Sequence, residues 1–144
     1  MAYDVCMAFW LLKTEPRDFS WEMLVRDGET LWTGIRNFEA RNNLAAMKTG
    51  DYAFMYHTGD EKLVIGIAKI MSEAIPDPTG SATDTWLAIK LVPHIAITRP
   101  ISLEEIRNTH NLCNMPLVTH ARLSVQAVTD DHAQMLMKIG KSYV

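Results

Sequence analysis

Residues 32–44 read WTGIRNFEARNNL, which puts a tryptophan, a glycine, two arginines and three asparagines into thirteen positions. A flat aromatic face with planar donors beside it suits a nucleobase held by stacking, with a guanidinium on the neighbouring phosphate. Gly34 lets the chain bend sharply after Trp32 and bring backbone amides close to a ligand. Arg36 and Asn37 fall at the start of a helix, where unpaired N–H groups and the helix dipole favour anionic or oxygen-rich ligands. Arg41 follows Asn37 by about one turn, on roughly the same face. In this reading Trp32 stands exposed as the stacking surface. The same residues also admit a plain reading, with Trp32 in the core, Asn37 as a cap and the arginines on a solvated surface.

Other chemistry has thinner support. His57, His94, His110, His120 and His132 are scattered, and only His110 and Cys113 approach ligand spacing, so no metal is expected. No nucleophile elbow, phosphate-binding P-loop, dinucleotide fingerprint or zinc-helix motif is present, so neither a cofactor nor catalysis is expected. An enzyme acting on nucleotides or nucleic acid, with Glu15, His57 or Asp77 as acid or base, is the alternative to a binding protein. A small-ligand or protein-interaction module using the same pocket is a third reading. In PDPTG, residues 76–80, two prolines fix a rigid loop of a kind that walls pockets or simply turns the chain.

Several local elements must position these residues. AFWLLKT, residues 8–14, reads as a buried strand stopped by Pro16. Ser20 caps a short helix, WEMLVRD, that Gly28 ends. Leu31 and Trp32 form a short extended stretch, after which Asn37 caps a helix running to about Lys48 with Gly50 as its stop. DYAFMYHT and KLVIGIAKI flank GDE as a hairpin. A further strand spans Thr85–Thr98, and Ser102 with Glu105 opens a short helix. RLSVQAV is a last strand, and Thr129 caps a last helix ending at Gly140. This order is mixed rather than regularly alternating, which predicts an α+β fold built on a small twisted barrel with short helices packed on it.

At 144 residues the chain is long enough for one hydrophobic core, and 48% apolar with 22% charged residues predicts a single soluble globular domain over 8–144 behind an extension, 1–7. Met7 is a candidate alternative start. A net charge of −3 argues against gripping long nucleic acid by phosphate neutralisation alone, so any such contact is local. The two cysteines lack a paired spacing and no secretory signal precedes them, which predicts reduced thiols in a cytoplasmic protein, or a nuclear one in a eukaryote. No run approaches the roughly 20 apolar residues that cross a bilayer.

FWLLKTEPRDFSW, LWTGIRNFEARNNLAAMKTGD, YHTGDE, GIAKI, PDPT and RLSVQAVT, taken together and in this order, resemble the EVE domain family from Ala8 to Gly140. The resemblance implies a PUA-like fold, a compact bent, mostly antiparallel β-barrel with flanking helices, related to YTH-type readers. It implies binding of a modified nucleobase, either a modified cytosine in DNA or a modified RNA base, flipped from a duplex or presented in a single strand. It does not imply catalysis. The positions it carries over are Lys13, Thr14 and Glu15, the run Trp32, Thr33, Gly34, Ile35, Arg36 and Asn37, then Arg41, His57, Thr58, and the loop Asp77, Pro78 and Thr79. In that scheme Trp32 stacks, the backbone of Thr33–Ile35 with Asn37 reads the base edge, and Lys13, Arg36 and Arg41 meet phosphate or sugar. His57 would donate or accept at the pocket edge. Thr33, Ile35, Thr58 and Lys90 depart from the commoner family residues, and Thr33 removes a carboxylate acceptor from the pocket lip.

Overall fold

The computed structural model describes residues 7–144; Cys6 and all of the expected extension but Met7 lie outside the described residues. Seven strands make one curled mixed sheet: β1 (Phe9–Thr14), β2 (Thr30–Trp32), β3 (Tyr52–His57), β4 (Leu63–Ile70), β5 (Ile75–Pro76), β6 (Leu87–Ser102) and β7 (Val125–Val128). The helices are α1 (Trp21–Asp27), α2 (Phe38–Ala46), α3 (Leu103–Arg107), α4 (Pro116–Thr119) and α5 (Asp130–Gly140).

The strands lie in the order β2-β6-β4-β3-β1-β7, with β5 paired to β6. All neighbours are antiparallel except β1 and β3. A parallel pair needs a long crossover, and here α1, β2 and α2 supply it. Three register shifts, between Met55 and Tyr56, Val64 and Gly66, and Ile67 and Ala68, insert extra residues and curl the sheet into the bent half-barrel that the sequence resemblance implies.

β1 is a continuous apolar run because both faces of the sheet are covered. Phe9 and Leu11 belong to one core with α3, α4 and α5, whereas Trp10 and Leu12 belong to the other with α1 and α2. The buried carboxylate Asp51 ties the start of β1 to β3, accepting from Ala8 N at 3.0 Å and from the Trp10 indole at 2.9 Å.

The expected caps are present: Ser20, Asn37, Ser102 and Thr129 each accept from the backbone N–H three residues on. Several boundaries differ: β6 starts at Leu87 rather than Thr85, and β7 at Val125 rather than Arg122. α2 ends at Ala46 rather than Lys48, with Met47 already extended. β6 continues past Thr98 to Ser102, because its two prolines fall where the ladder is interrupted: Pro93 at a bulge opposite Ala68, and Pro100 in the excursion between Ala96 and Ile101. β5 and α4, of two and four residues, were too short to leave a periodic pattern. No helix of the described residues is long and apolar enough to cross a membrane.

Candidate nucleic-acid interface

β1 and β2 open toward the same side of the half-barrel, and a cavity of about 390 Å³ lies between their ends. Its lining comes from three segments: Lys13, Thr14 and Glu15 at the end of β1, Asp18 and Phe19 in the following turn, and Thr30–Thr33 with Ile35 around β2. This volume falls in the range of about 300–1,000 Å³ typical of small-ligand sites.

Trp32 is not the free-standing surface that its neighbours in the sequence suggest. It is 8% exposed: β2 pairs it with Ile89 of β6, and it belongs to the core that the sheet shares with α1 and α2. Phe19 meets that ring edge-on at a centroid distance of 5.8 Å. The indole therefore lines the cavity while most of its surface is packed into the core.

The polar lining is also held in place. Thr14 donates its hydroxyl to Phe19 O at 2.6 Å, and both Asp18 N and Phe19 N donate to Glu15 O at 2.9 Å, so the turn is locked to the strand end. Glu15 accepts from the Thr58 hydroxyl at 3.3 Å and from Arg17 Nε at 3.2 Å. Gly59, at φ 72°, leaves room for that carboxylate, since a Cβ there would stand 2.6 Å from Glu15 Oε2. Lys13 reaches across to Ala121 O at 2.6 Å, and burial of its ammonium lowers its pKa from the ordinary value.

Behind the lip stands a second group. Asp77 is buried, and its Oδ2 accepts from Gly34 N at 2.8 Å and Arg36 Nη1 at 3.0 Å. Its Oδ1 accepts from Thr79 N and the Thr79 hydroxyl, each at 2.7 Å. Burial alone would push this carboxyl up, but the donors from Gly34, Thr79 and Arg36 outweigh it and hold the pKa well below the usual carboxylate range. Gly34, at φ 83°, takes the left-handed bend that brings its N–H onto Asp77. The rigid PDPTG loop is thus an anchor for the 33–36 lip.

Of the positions expected from sequence, Lys13, Thr14, Glu15, Trp32, Thr33 and Ile35 line the cavity. Gly34, Arg36, Asp77 and Thr79 support it from outside, with Pro78 exposed in the turn between them. Gly34 N–H points at Asp77 rather than at a ligand, and Arg36 spends its charge on the same carboxylate. Asn37 is occupied as the cap of α2, accepting from Ala40 N at 2.9 Å. Arg41 binds Thr85 and Asn42 away from the cavity.

His57 lies apart from the cavity lining and is engaged by neighbouring segments. It is 4% exposed, its Nε2 accepts from the backbone N–H of Trp21 at 3.0 Å, and its Nδ1 faces Glu61 Oε1 at 2.8 Å. Because an amide N–H can only donate, Nε2 carries no proton and Nδ1–H donates to Glu61. Gly66 completes that joint: a Cβ there would lie 2.4 Å from the Trp21 ring. Glu15, His57 and Asp77, the candidates for acid–base work, are consequently not gathered in one cavity. Among the described residues no three His, Cys, Asp or Glu side chains come together as a metal site would require.

Asp18, Phe19, Thr30 and Leu31 line the cavity without having been singled out from sequence. Phe19 precedes the capping Ser20, where an apolar residue ordinarily fixes the entry of a helix, and that role leaves no separate mark for its contact with Trp32.

The EVE domain model matches residues 8–139. Human thymocyte nuclear protein 1 is 32% identical over an alignment covering 90% of this chain and 72% of the relative. An Agrobacterium tumefaciens protein of known structure superposes with a TM-score of 0.91 at 36% identity, covering 94% of both chains. The human THYN1 protein, solved in complex with DNA containing 5-methylcytosine, superposes with a TM-score of 0.87 at 30% identity, covering 95% of this chain and 99% of that one. With nearly all of its described length matched, and with the half-barrel geometry to go with it, this chain belongs to the EVE domain family.

Proposed function

We propose that this protein is a non-catalytic reader that holds one modified nucleobase, a modified cytosine in DNA or a modified RNA base, in the cavity between β1 and β2. One observation carries the reading: a 390 Å³ hollow in which the Trp32 and Phe19 rings meet fixed polar groups, in a fold whose human relative was solved on DNA containing 5-methylcytosine. The volume suits a single base, and a base stacked inside a duplex cannot reach it, so the ligand arrives flipped out or single-stranded.

The roles follow from the chemistry of the lining. Trp32 and Phe19 offer apolar edge and ring surface to the plane of the base. Glu15 and Asp18 bring carboxylates to the lining, acceptors suited to an exocyclic amine, where Thr33 offers only a hydroxyl. Lys13, partly desolvated, sits where a phosphate would restore the charge that burial disfavours.

The test is a titration with oligonucleotides that differ only in the modification. The modified strand should bind more tightly, on the scale of about tenfold per methyl-sized group, and Trp32→Phe, which keeps an aromatic core, should erode that preference. Equal affinity for the two strands in the wild-type protein would remove the reading.

A further inference from the structure

Beside the cavity, on the far side of the 33–36 lip, four side chains form a continuous stack. The Arg36 guanidinium lies 5.7 Å from the Trp86 ring centroid, Trp86 stacks on Phe38 at 5.0 Å and 27°, and the Arg41 guanidinium lies 5.1 Å from the Phe38 ring. The stack joins α2 to the approach to β6, and it begins one residue after Ile35, which lines the cavity.

Phe38 is 62% exposed although it opens a helix whose neighbouring apolar residues, Ala40 and Leu44, are buried. Its ring packs on Trp86 and Arg41 and leaves aromatic surface in solvent beside them. The two guanidiniums also differ. Arg36 is paired with Asp77, whereas Arg41 bonds only the neutral side chains of Thr85 and Asn42, so its charge is uncompensated among the described residues. Each arginine keeps N–H groups beyond those it uses within the chain. Exposed aromatic surface alternating with cations matches the alternation of base and phosphate along a single strand.

We propose that this stack binds the nucleotide next to the one in the cavity: the Arg41 guanidinium swings off the Phe38 ring to meet the phosphate, and the base takes its place against that ring, opposite Trp86. The inference rests on the cavity being the base site, and it assigns the partner as a short single-stranded segment rather than an isolated base. Trp86, backed by Arg36, acts as a positioning residue that holds Phe38 at the edge.

The experiment compares two probes on the full chain: free 5-methyl-2′-deoxycytidine, which reads the cavity alone, and a trinucleotide with that base in the centre, which reads cavity and stack together. Phe38→Ala should weaken the trinucleotide by about 5- to 150-fold, the range for one base stacked on an aromatic ring, and leave the nucleoside unchanged. Phe38→Tyr should restore the trinucleotide. Arg41→Gln should lower the slope of log affinity against log salt by about 0.7, as for one lost single-strand phosphate contact, with a thermal melt confirming that each variant is folded. Trinucleotide affinity that is indifferent to Phe38→Ala overturns the stack. Failure of the wild-type chain to bind the nucleoside, with a trinucleotide that still depends on Phe38, overturns the cavity reading and with it the neighbouring-nucleotide assignment, and leaves Phe38 as a strand contact in its own right.

Discussion

The larger hollow in this molecule is not the better site. Between the α3–α4 connection and α5 lies a depression of about 820 Å³, against 390 Å³ for the cavity between β1 and β2. The larger one is lined by mostly exposed side chains, among them His110, Asn111, Cys113 and Asn114. Its fixed contacts are few: the Cys113 thiol donates to His110 O, three residues away, and His132 Nε2 on α5 meets Asn114 Oδ1 at 3.1 Å while the His132 Nδ1 is buried with no partner. In the smaller cavity Lys13, Thr14 and Glu15 are each tied to a neighbouring segment, and the lip is clamped by Asp77. Pre-organisation, rather than volume, separates the two, because a ligand need not then supply the entropy of ordering its own pocket.

Substitutions can break that contrast. Trp32→Ala should cost about 3–5 kcal/mol of stability, the usual penalty for emptying a buried aromatic position, measured by denaturant unfolding. No single alanine substitution around the larger hollow should approach it. Asp77→Ala should cost about 2–3 kcal/mol by releasing donors from a charged acceptor. The Asp77 pKa is lower in the folded chain than the roughly 3.9 of an unfolded aspartate. Its contribution is therefore complete above about pH 4 and is lost as pH falls through the folded value, and Asp77→Asn should flatten the acid limb of a stability–pH curve.

A paired glycine test sharpens the comparison further. Gly59→Ala and Gly50→Ala both force a side chain into positive φ, at a cost of about 1–2 kcal/mol. Only the Gly59 Cβ would strike Glu15; the Gly50 Cβ meets nothing within 4 Å. Base affinity should fall in the first variant and not in the second, by calorimetric titration. At the small end, His110→Ala and Cys113→Ser should change stability by no more than about 0.5 kcal/mol, as exposed substitutions do, and should leave base binding untouched. A loss of binding in either would return the larger hollow to contention.

The fold was legible because its signals are local. Ser20, Asn37, Ser102 and Thr129 announce helix starts by their own hydrogen bonds, and the alternation on either side of GDE announces a hairpin. The site was legible only in part. Lys13 to Glu15 and Trp32 to Ile35 come from two distant segments that the β1–β3 crossover brings together, and no local pattern in either encodes that meeting. The choice between an exposed and a core Trp32 is open in the sequence for the same reason, since the strand that pairs with it contributes Ile89, 57 residues away along the chain. The tasks of Asp77 and His57 were equally hidden: both are typical of reactive sites by residue type, and both are consumed by backbone N–H groups of remote segments.

β6 runs for 16 residues, with Ile89 and Leu91 in one core and Ile97 and Ile101 in the other. A single strand thus rivets both halves of the molecule, and neither half is able to melt alone without stripping neighbours from the other. Unfolding should be one cooperative event, and a base seated between β1 and β2 would slow amide exchange as far away as α5, whose Gly140 rests on Ile97.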